Sequence, residues 1–236
     1  MTTFALVHGG WHGAWCWDRL ASLLRDQGHH VVTVDLPGED AAATFDTYAD
    51  VVCAALSGCG DDVVLVGHSL GGLTVPLVAA QRPVKRLVYL CALIPAVGQS
   101  WADQFSDNPD MMRPGWDAGL GVDAQRRTMW TDPELTRALL FADCDEATAA
   151  AAFARLRPQV GGGSWPFRLP EVPSAPCASI YCTDDQMINP DWSRQVAADR
   201  LGADIIELPG SHSPFLSRPA TLADVLVGIA DADQAV

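Results

Sequence analysis

Ser69 lies in Gly67-His68-Ser69-Leu70-Gly71, a G-x-S-x-G pattern with Gly72 directly behind it. Four apolar residues, Val63 to Val66, precede the pattern and read as a short buried strand. An apolar helical run, Leu73 to Ala80, follows at once. A serine at the apex of a sharp strand-to-helix turn is a nucleophile elbow, which presents the hydroxyl to a substrate. Side chains in place of the flanking glycines would strike the neighbouring strand or helix, and the backbone of such a turn is strained. The chemistry this serves is acyl transfer.

A free serine hydroxyl is a poor nucleophile at neutral pH. It needs a base in hydrogen-bond reach and a third group that fixes the tautomer of the base. The chain offers six histidines. His8 and His12 belong to a glycine-rich loop and read as residues that shape it. His29 and His30 precede a strand, at the opposite edge of the sheet, and His68 is inside the elbow. His212, in Gly210-Ser211-His212 behind a predicted strand, is free to swing toward Ser69 and is the candidate base. Asp184 and Asp185 follow another predicted strand, and either could orient the imidazole. The tetrahedral intermediate places negative charge on oxygen, so two backbone N–H groups must already point at that spot. Leu70, the residue after the serine, is one candidate donor; Gly10, in the loop after the first strand, is the other.

These residues must be brought together by the elements between them. Thr3 to Val7, Val31 to Val34, Val63 to Val66, Leu87 to Leu90, Ala178 to Cys182 and Ile205 to Leu208 read as strands. Helical spacing connects most of them, as in Trp17, Leu20, Leu23 and Leu24, or Tyr48, Val51, Val52, Ala55 and Leu56, with Asp46 or Thr47 as N-cap. Runs that are apolar throughout indicate strands buried on both faces of a parallel sheet. In such a sheet reactive groups gather at the carboxyl ends of the strands, where His8, Gly9, Gly10, Ser69, Asp184, Asp185 and His212 all fall. The alternation stops from Pro95 to about Pro173, where no strong strand is expected. Two helices are, one capped by Asp132-Pro133 and running to Phe141, one capped by Asp145 and running to Leu156, before a break at Gly161-Gly162-Gly163. The fold class expected is therefore α/β: a six-stranded, mostly parallel sheet flanked by helices, with 1–94 and 174–236 as core and 95–173 as an inserted lid. A share of the lid tryptophans, Trp101, Trp116, Trp130 and Trp165, is expected to line a ligand cavity.

Composition narrows the function further. The chain has 236 residues, 49% hydrophobic, with a formal net charge of −14 and mean hydropathy of +0.11. The negative charge argues against nucleic acid and anionic membranes as partners. No run reaches the roughly eighteen apolar residues of a membrane span, and the N-terminus lacks a charged region plus cleavage site, so a cytoplasmic protein is expected. Seven scattered cysteines without a C-x-x-C pair read as reduced thiols, not as a disulfide frame or a zinc site. No cofactor and no metal are expected; the partner is a small-molecule substrate. The sequence leaves oligomeric state open, a homodimer included.

With HGGWHGAWCW, GHSLGG, CTDDQMI and the order serine, acid, histidine assembled, the chain resembles the α/β-hydrolase superfamily, and more narrowly the plant methylesterase and hydroxynitrile lyase family. His8, Gly9, His12, Gly13 and Trp15 match the opening H-G-x-x-H-G-x-W, and Leu140-Phe141, Cys144, Leu156-Arg157-Pro158-Gln159 and Pro166-Phe167 are similar to that family's lid. The resemblance implies a Ser69–His212–Asp185 triad, since the family's acid is second in its acidic pair. Asn189 departs from the pattern by standing where the family has proline. It also implies a choice between ester hydrolysis and lyase chemistry. Lyases of this type carry a polar residue where Gly9 stands, and one group carries a lysine where Ser213 stands. The sole lysine, Lys85, begins the fourth strand; at about 3.3 Å per residue it is roughly 20 Å from the carboxyl edge. Hydrolysis of a small neutral or hydrophobic carboxylic ester, a methyl ester among them, is the expected activity, with hydroxynitrile lyase-type carbon–carbon chemistry as the alternative and a non-catalytic ligand-binding protein as a third. Gly9, Trp11, Trp130 and Ser213 are expected to face the substrate.

Overall fold

The computed structural model describes residues 1–161, 171 and 174–232. Six strands form one parallel sheet: β1 (Thr3–Val7), β2 (His30–Thr33), β3 (Val63–His68), β4 (Arg86–Leu90), β7 (Cys177–Cys182) and β8 (Asp204–Leu208), in the spatial order β2-β1-β3-β4-β7-β8. The chain starts in the middle of the sheet, steps outward to β2, returns to β3 on the other side of β1 and then proceeds away from it. The strand order therefore reverses between β1 and β3, and a crevice opens at the carboxyl ends of that pair. The loop after β1 and the elbow after β3 meet there, in a register that sets Val7 opposite Gly67.

β3, β4 and β7 are buried along their whole length, as mainly apolar strands in a covered parallel sheet should be. The edge strands differ. β8 is largely exposed, with Ile205 at 37%, because the edge lacks a neighbour on one side. Helices α1 (Asp18–Asp26), α2 (Phe45–Ala55), α3 (Val75–Gln81), α7 (Pro190–Val196), α8 (Pro214–Ser217) and α9 (Pro219–Asp231) connect and cover the strands. α1 buries Leu20, Ala21 and Leu24 and packs on α9. The N-cap of α2 is Thr44 and not Asp46 or Thr47: its hydroxyl accepts from Thr47 N–H, and Thr47 returns a bond to the Thr44 amide. The helix starts earlier because Phe45 is buried in its first turn. Asn189 caps α7, its side chain accepting from Asp191 N–H.

Between β4 and β7 the chain forms α4 (Trp101–Asp107), β5 (Leu120–Val122), β6 (Thr128–Trp130), α5 (Pro133–Leu140) and α6 (Glu146–Phe153). The two helices capped by Asp132 and Asp145 are present, each aspartate accepting from backbone N–H groups. No strong strand is expected in this stretch, and what forms among its described residues is one short pair. β5 and β6 pair antiparallel, Leu120 opposite Trp130 and Val122 opposite Thr128. Strands of three residues, one centred on a glycine, carry too little apolar patterning to stand out in a sequence; their turn is held by Asp123, whose carboxylate accepts from Gln125 and Arg127 N–H. Gly162, Gly163, Trp165, Pro166, Phe167, Pro173 and the tail after residue 232 lie outside the described residues. Among the described residues no helix is long and apolar enough to cross a membrane.

Candidate active site

β3 runs directly into Ser69, which has φ of 50°. The left-handed backbone region costs a non-glycine residue about 1–3 kcal/mol, so the surroundings must hold it. They do: Ser69 C=O accepts from Leu93 N–H at 3.0 Å. The glycines serve close approach. A Cβ on Gly67 would stand 2.8 Å from Gly71 O and from Val75 Cγ1, and one on Gly71 would stand 2.8 Å from Val7 O. Strain thus resides in the serine itself, and the small residues around it let neighbouring backbone brace it.

Asp185 and His212 meet across two loops. His212 Nδ1 lies 2.8 Å from Asp185 Oδ2, with side chains only 1% and 3% exposed. The other carboxylate oxygen of Asp185 accepts Met187 N–H at 2.7 Å and Ile188 N–H at 3.0 Å, which fixes its orientation. Asp184 faces elsewhere. It is exposed, and its carboxylate accepts Gly210 N–H at 3.2 Å, stapling the loop after β7 to the loop after β8. His68 Nε2–H donates to the backbone carbonyl of His212 at 2.9 Å, so the elbow holds the histidine loop. Among the described residues no hydrogen bond joins the Ser69 hydroxyl to the His212 ring; such contacts commonly tighten only when substrate is bound.

The loop after β1 is organised by two imidazoles. His8 Nδ1–H donates to Gly9 C=O at 2.7 Å, while its Nε2 accepts Leu36 N–H at 3.0 Å. That pair of bonds requires the neutral ring. Burial pushes its pKa down to about 4. His12 Nδ1–H donates to Gly10 C=O at 2.8 Å, and burial pushes its pKa down to about 3. Burial likewise holds His68 well below the ordinary histidine value. With the Gly9 carbonyl turned to His8, the trans peptide sets Gly10 N–H on the opposite side. Gly9 is pressed against the elbow: a Cβ there would lie 2.7 Å from Ser69 Cβ and 2.9 Å from His68 Nδ1.

Gly10, Trp11, Ser69 and Leu70 form one wall of a pocket of about 690 Å³, its open mouth included. Leu93, Trp101, Met112, Trp116, Leu120, Met187 and Ile188 form the apolar side, and Thr128, Gln159, Val160 and Gly161 adjoin it, with no charged residue among the described residues of the lining. Trp11, at φ of 61°, donates its indole N–H to Thr128 Oγ1 at 3.0 Å and receives Arg157 N–H on its carbonyl at 2.7 Å. Of the residues expected to face the substrate, only Trp11 lines this pocket. Gly9 lies behind Ser69. Trp130 is buried and stands edge-on behind Trp11, with ring centroids 5.5 Å apart. Ser213 is fully buried ahead of α8. Trp101 and Trp116 are the expected lid tryptophans that reach the cavity. Gln159, Met187 and Ile188 were not expected in the pocket wall; the signal was their presence in the lid motif and in the CTDDQMI run that carries the acidic pair. Lys85 is at the far end of β4, its Nζ 3.3 Å from Asp62 Oδ1.

The model of the alpha/beta hydrolase family matches residues 4–225. Esterase PIR7B of Oryza sativa subsp. japonica is 28% identical over 259 residues, covering 97% of this chain and 95% of that protein. Methylesterase 7 of Arabidopsis thaliana is 28% identical over 257 residues, covering 97% and 96%. The crystal structure of polyneuridine aldehyde esterase superimposes with a TM-score of 0.82 at 24% identity, covering 98% of this chain and all of that one, which bears on fold alone.

Proposed function

This chain belongs to the alpha/beta hydrolase family, and we propose that it hydrolyses small, neutral or hydrophobic carboxylic esters through an acyl-enzyme on Ser69. The observation that carries the reading is the buried His212–Asp185 bond of 2.8 Å, held by His68 beside a strained serine that opens into an apolar pocket. Asp185 keeps the proton on Nδ1, which leaves Nε2 free to take the proton of Ser69 as the hydroxyl attacks the ester carbonyl. Gly10 and Leu70 N–H receive the charge that develops on oxygen. His212 gives the proton to the alcohol as its C–O bond breaks; it then takes a proton from water as the water oxygen attacks the acyl carbonyl, and returns it to the Ser69 oxygen as the acid leaves.

The substrate class follows from the lining. A pocket whose described lining carries no charged side chain, on a chain of net charge −14, favours an uncharged ester and releases a carboxylate product readily. The names of similar proteins, an esterase and a methylesterase, support a small alcohol such as methanol as leaving group. The placement of Lys85 supports hydrolysis over cyanide elimination, because among the described residues no cationic side chain lines the pocket beside Ser69 to receive a leaving cyanide. Hydrolysis of p-nitrophenyl acetate and butyrate by the wild type and by Ser69→Ala tests the reading. Loss of turnover in the variant is expected; equal rates would end it, and cyanide release from mandelonitrile without esterase activity would replace it.

A further inference from the structure

We propose that Asp143 is a positioning residue that holds the His212 loop in working register, so that the segment between β4 and β7 governs the chemical step and not only the fit of the substrate. The proposal rests on the reading of His212 as the base.

Asp143 lies between α5 and α6. Ser211, the residue before His212, donates its hydroxyl to Asp143 Oδ1. Arg218, just after α8, donates to Asp143 Oδ2 through Nη2 at 2.7 Å and Nε at 3.2 Å. One carboxylate therefore catches the chain on both sides of His212. Gly210 packs its backbone against the same pair: a Cβ there would stand 2.6 Å from Arg218 Nε, and its φ of 121° suits only glycine. Ser211 is fully buried. Burial opposes the charge on Asp143, yet the bonds from Ser211 and Arg218 hold the carboxyl below the usual carboxylate range.

A local structural role does not account for this acid. α5 has ended at Leu140, and the cap of α6 is Asp145. The carboxylate of Asp143 instead reaches out of its own segment to the loop that bears the base. His68 grips that loop at the His212 carbonyl from the core side, and Asp143 grips it at Ser211 from the other. Removing Asp143 leaves a buried hydroxyl without its acceptor and lets the loop drift. A displacement of about 1 Å at a proton-transfer group can cost on the order of 100-fold in rate.

The test uses Asp143→Ala, Asp143→Asn, Ser211→Ala and the double variant Asp143→Ala/Ser211→Ala in the full chain. Asp18→Ala is the control, since it breaks the exposed Arg155–Asp18 pair, at 3.3 Å another tie from the same segment to the core. With p-nitrophenyl butyrate, kcat per active site is expected to fall on the order of 10- to 100-fold in Asp143→Ala and Ser211→Ala, with KM within about twofold of wild type. The double variant should be no slower than the worse single one, Asp143→Asn should be intermediate, and Asp18→Ala should match wild type. The low-field proton resonance of the His212 Nδ1–H bond to Asp185 should be present in the wild type and broadened or lost in Asp143→Ala. An unchanged kcat with only a lower Tm overturns the proposal, as does a raised KM with kcat kept, or an unchanged low-field resonance. If Asp143→Ala does not fold, Ser211→Ala decides through the same readouts. If the wild type hydrolyses no ester, the esterase reading fails on its own, and the resonance alone decides the clamp.

Discussion

The His68 ring donates its Nε2–H to the backbone carbonyl of His212 at 2.9 Å, which ties the residue before Ser69 to the residue proposed as its base. Both rings are buried, their centroids 4.7 Å apart. His68→Ala should leave that carbonyl without a partner and open a cavity beside it, at a cost of about 1–3 kcal/mol in stability. Turnover should fall more than KM rises. Thermal melts together with ester kinetics check both halves.

Asp184 and Asp185 are separable by substitution. Asp185→Asn removes the charge behind His212 and allows the wrong tautomer, so kcat should drop on the order of 1,000- to 10,000-fold. Asp184→Asn touches only the bonds of an exposed side chain, from Gly210 N–H and the Thr183 hydroxyl, and should cost less than about tenfold. Steady-state rates of the two variants on one ester decide the assignment.

Gly9 and Gly10 are adjacent yet unequal. Gly9→Ala forces a methyl group to within 2.7 Å of Ser69 Cβ, so the loop or the elbow must shift. A loss of about 1–3 kcal/mol and of most activity is expected. At Gly10 the nearest neighbour of an added Cβ is Leu70 Cδ2 at 3.7 Å, an ordinary contact, so Gly10→Ala should melt close to wild type. Calorimetry on the pair checks the contrast.

Acid should unfold this protein through its buried rings. His8 and His12, with folded pKa values lowered to about 4 and about 3, stay neutral in the native state while the unfolded chain takes up protons below about 6.5. The unfolded state then binds more protons, so stability is full above about pH 6.5 and falls as pH drops toward the folded values. Each ring removes up to about 1.4 kcal/mol per pH unit in that window, and His68 acts in the same direction. Denaturant titrations from pH 7.5 to 4.5 should show the decline, with a shallower slope in His8→Gln.

The legible parts of the sequence were those with local signatures. Val63 to Val66 is apolar without a break and Ala178 to Cys182 is interrupted only by Ser179, so strand and sheet type could be read from them. Ser69 and His212 stand at punctuated turns directly behind strands. The choice between Asp184 and Asp185 is different in kind. Neighbouring residues in one turn face opposite ways, and in the structure it is Asp185 that bonds the His212 ring at 2.8 Å, oriented by Met187 and Ile188 N–H. The pocket wall was less legible still. Trp130 was expected in it and is buried behind Trp11, whereas Gln159, Met187 and Ile188 were not expected and form it. Those positions depend on how the segment between β4 and β7 folds back across the core, through the Thr128–Gln159 bridge and the Val160 N–H bond to Gly38, and tertiary packing leaves no periodicity behind.

The order of strands in the sheet has a temporal side. β1 and β3 are neighbours in register, so the elbow and its glycine loop can assemble early, as soon as the first part of the polypeptide has left the ribosome. His212 follows β8, the outermost strand on the far flank, and arrives much later. Ser69 is therefore made well before His212, and a chain cut short anywhere between them lacks the base proposed for that hydroxyl.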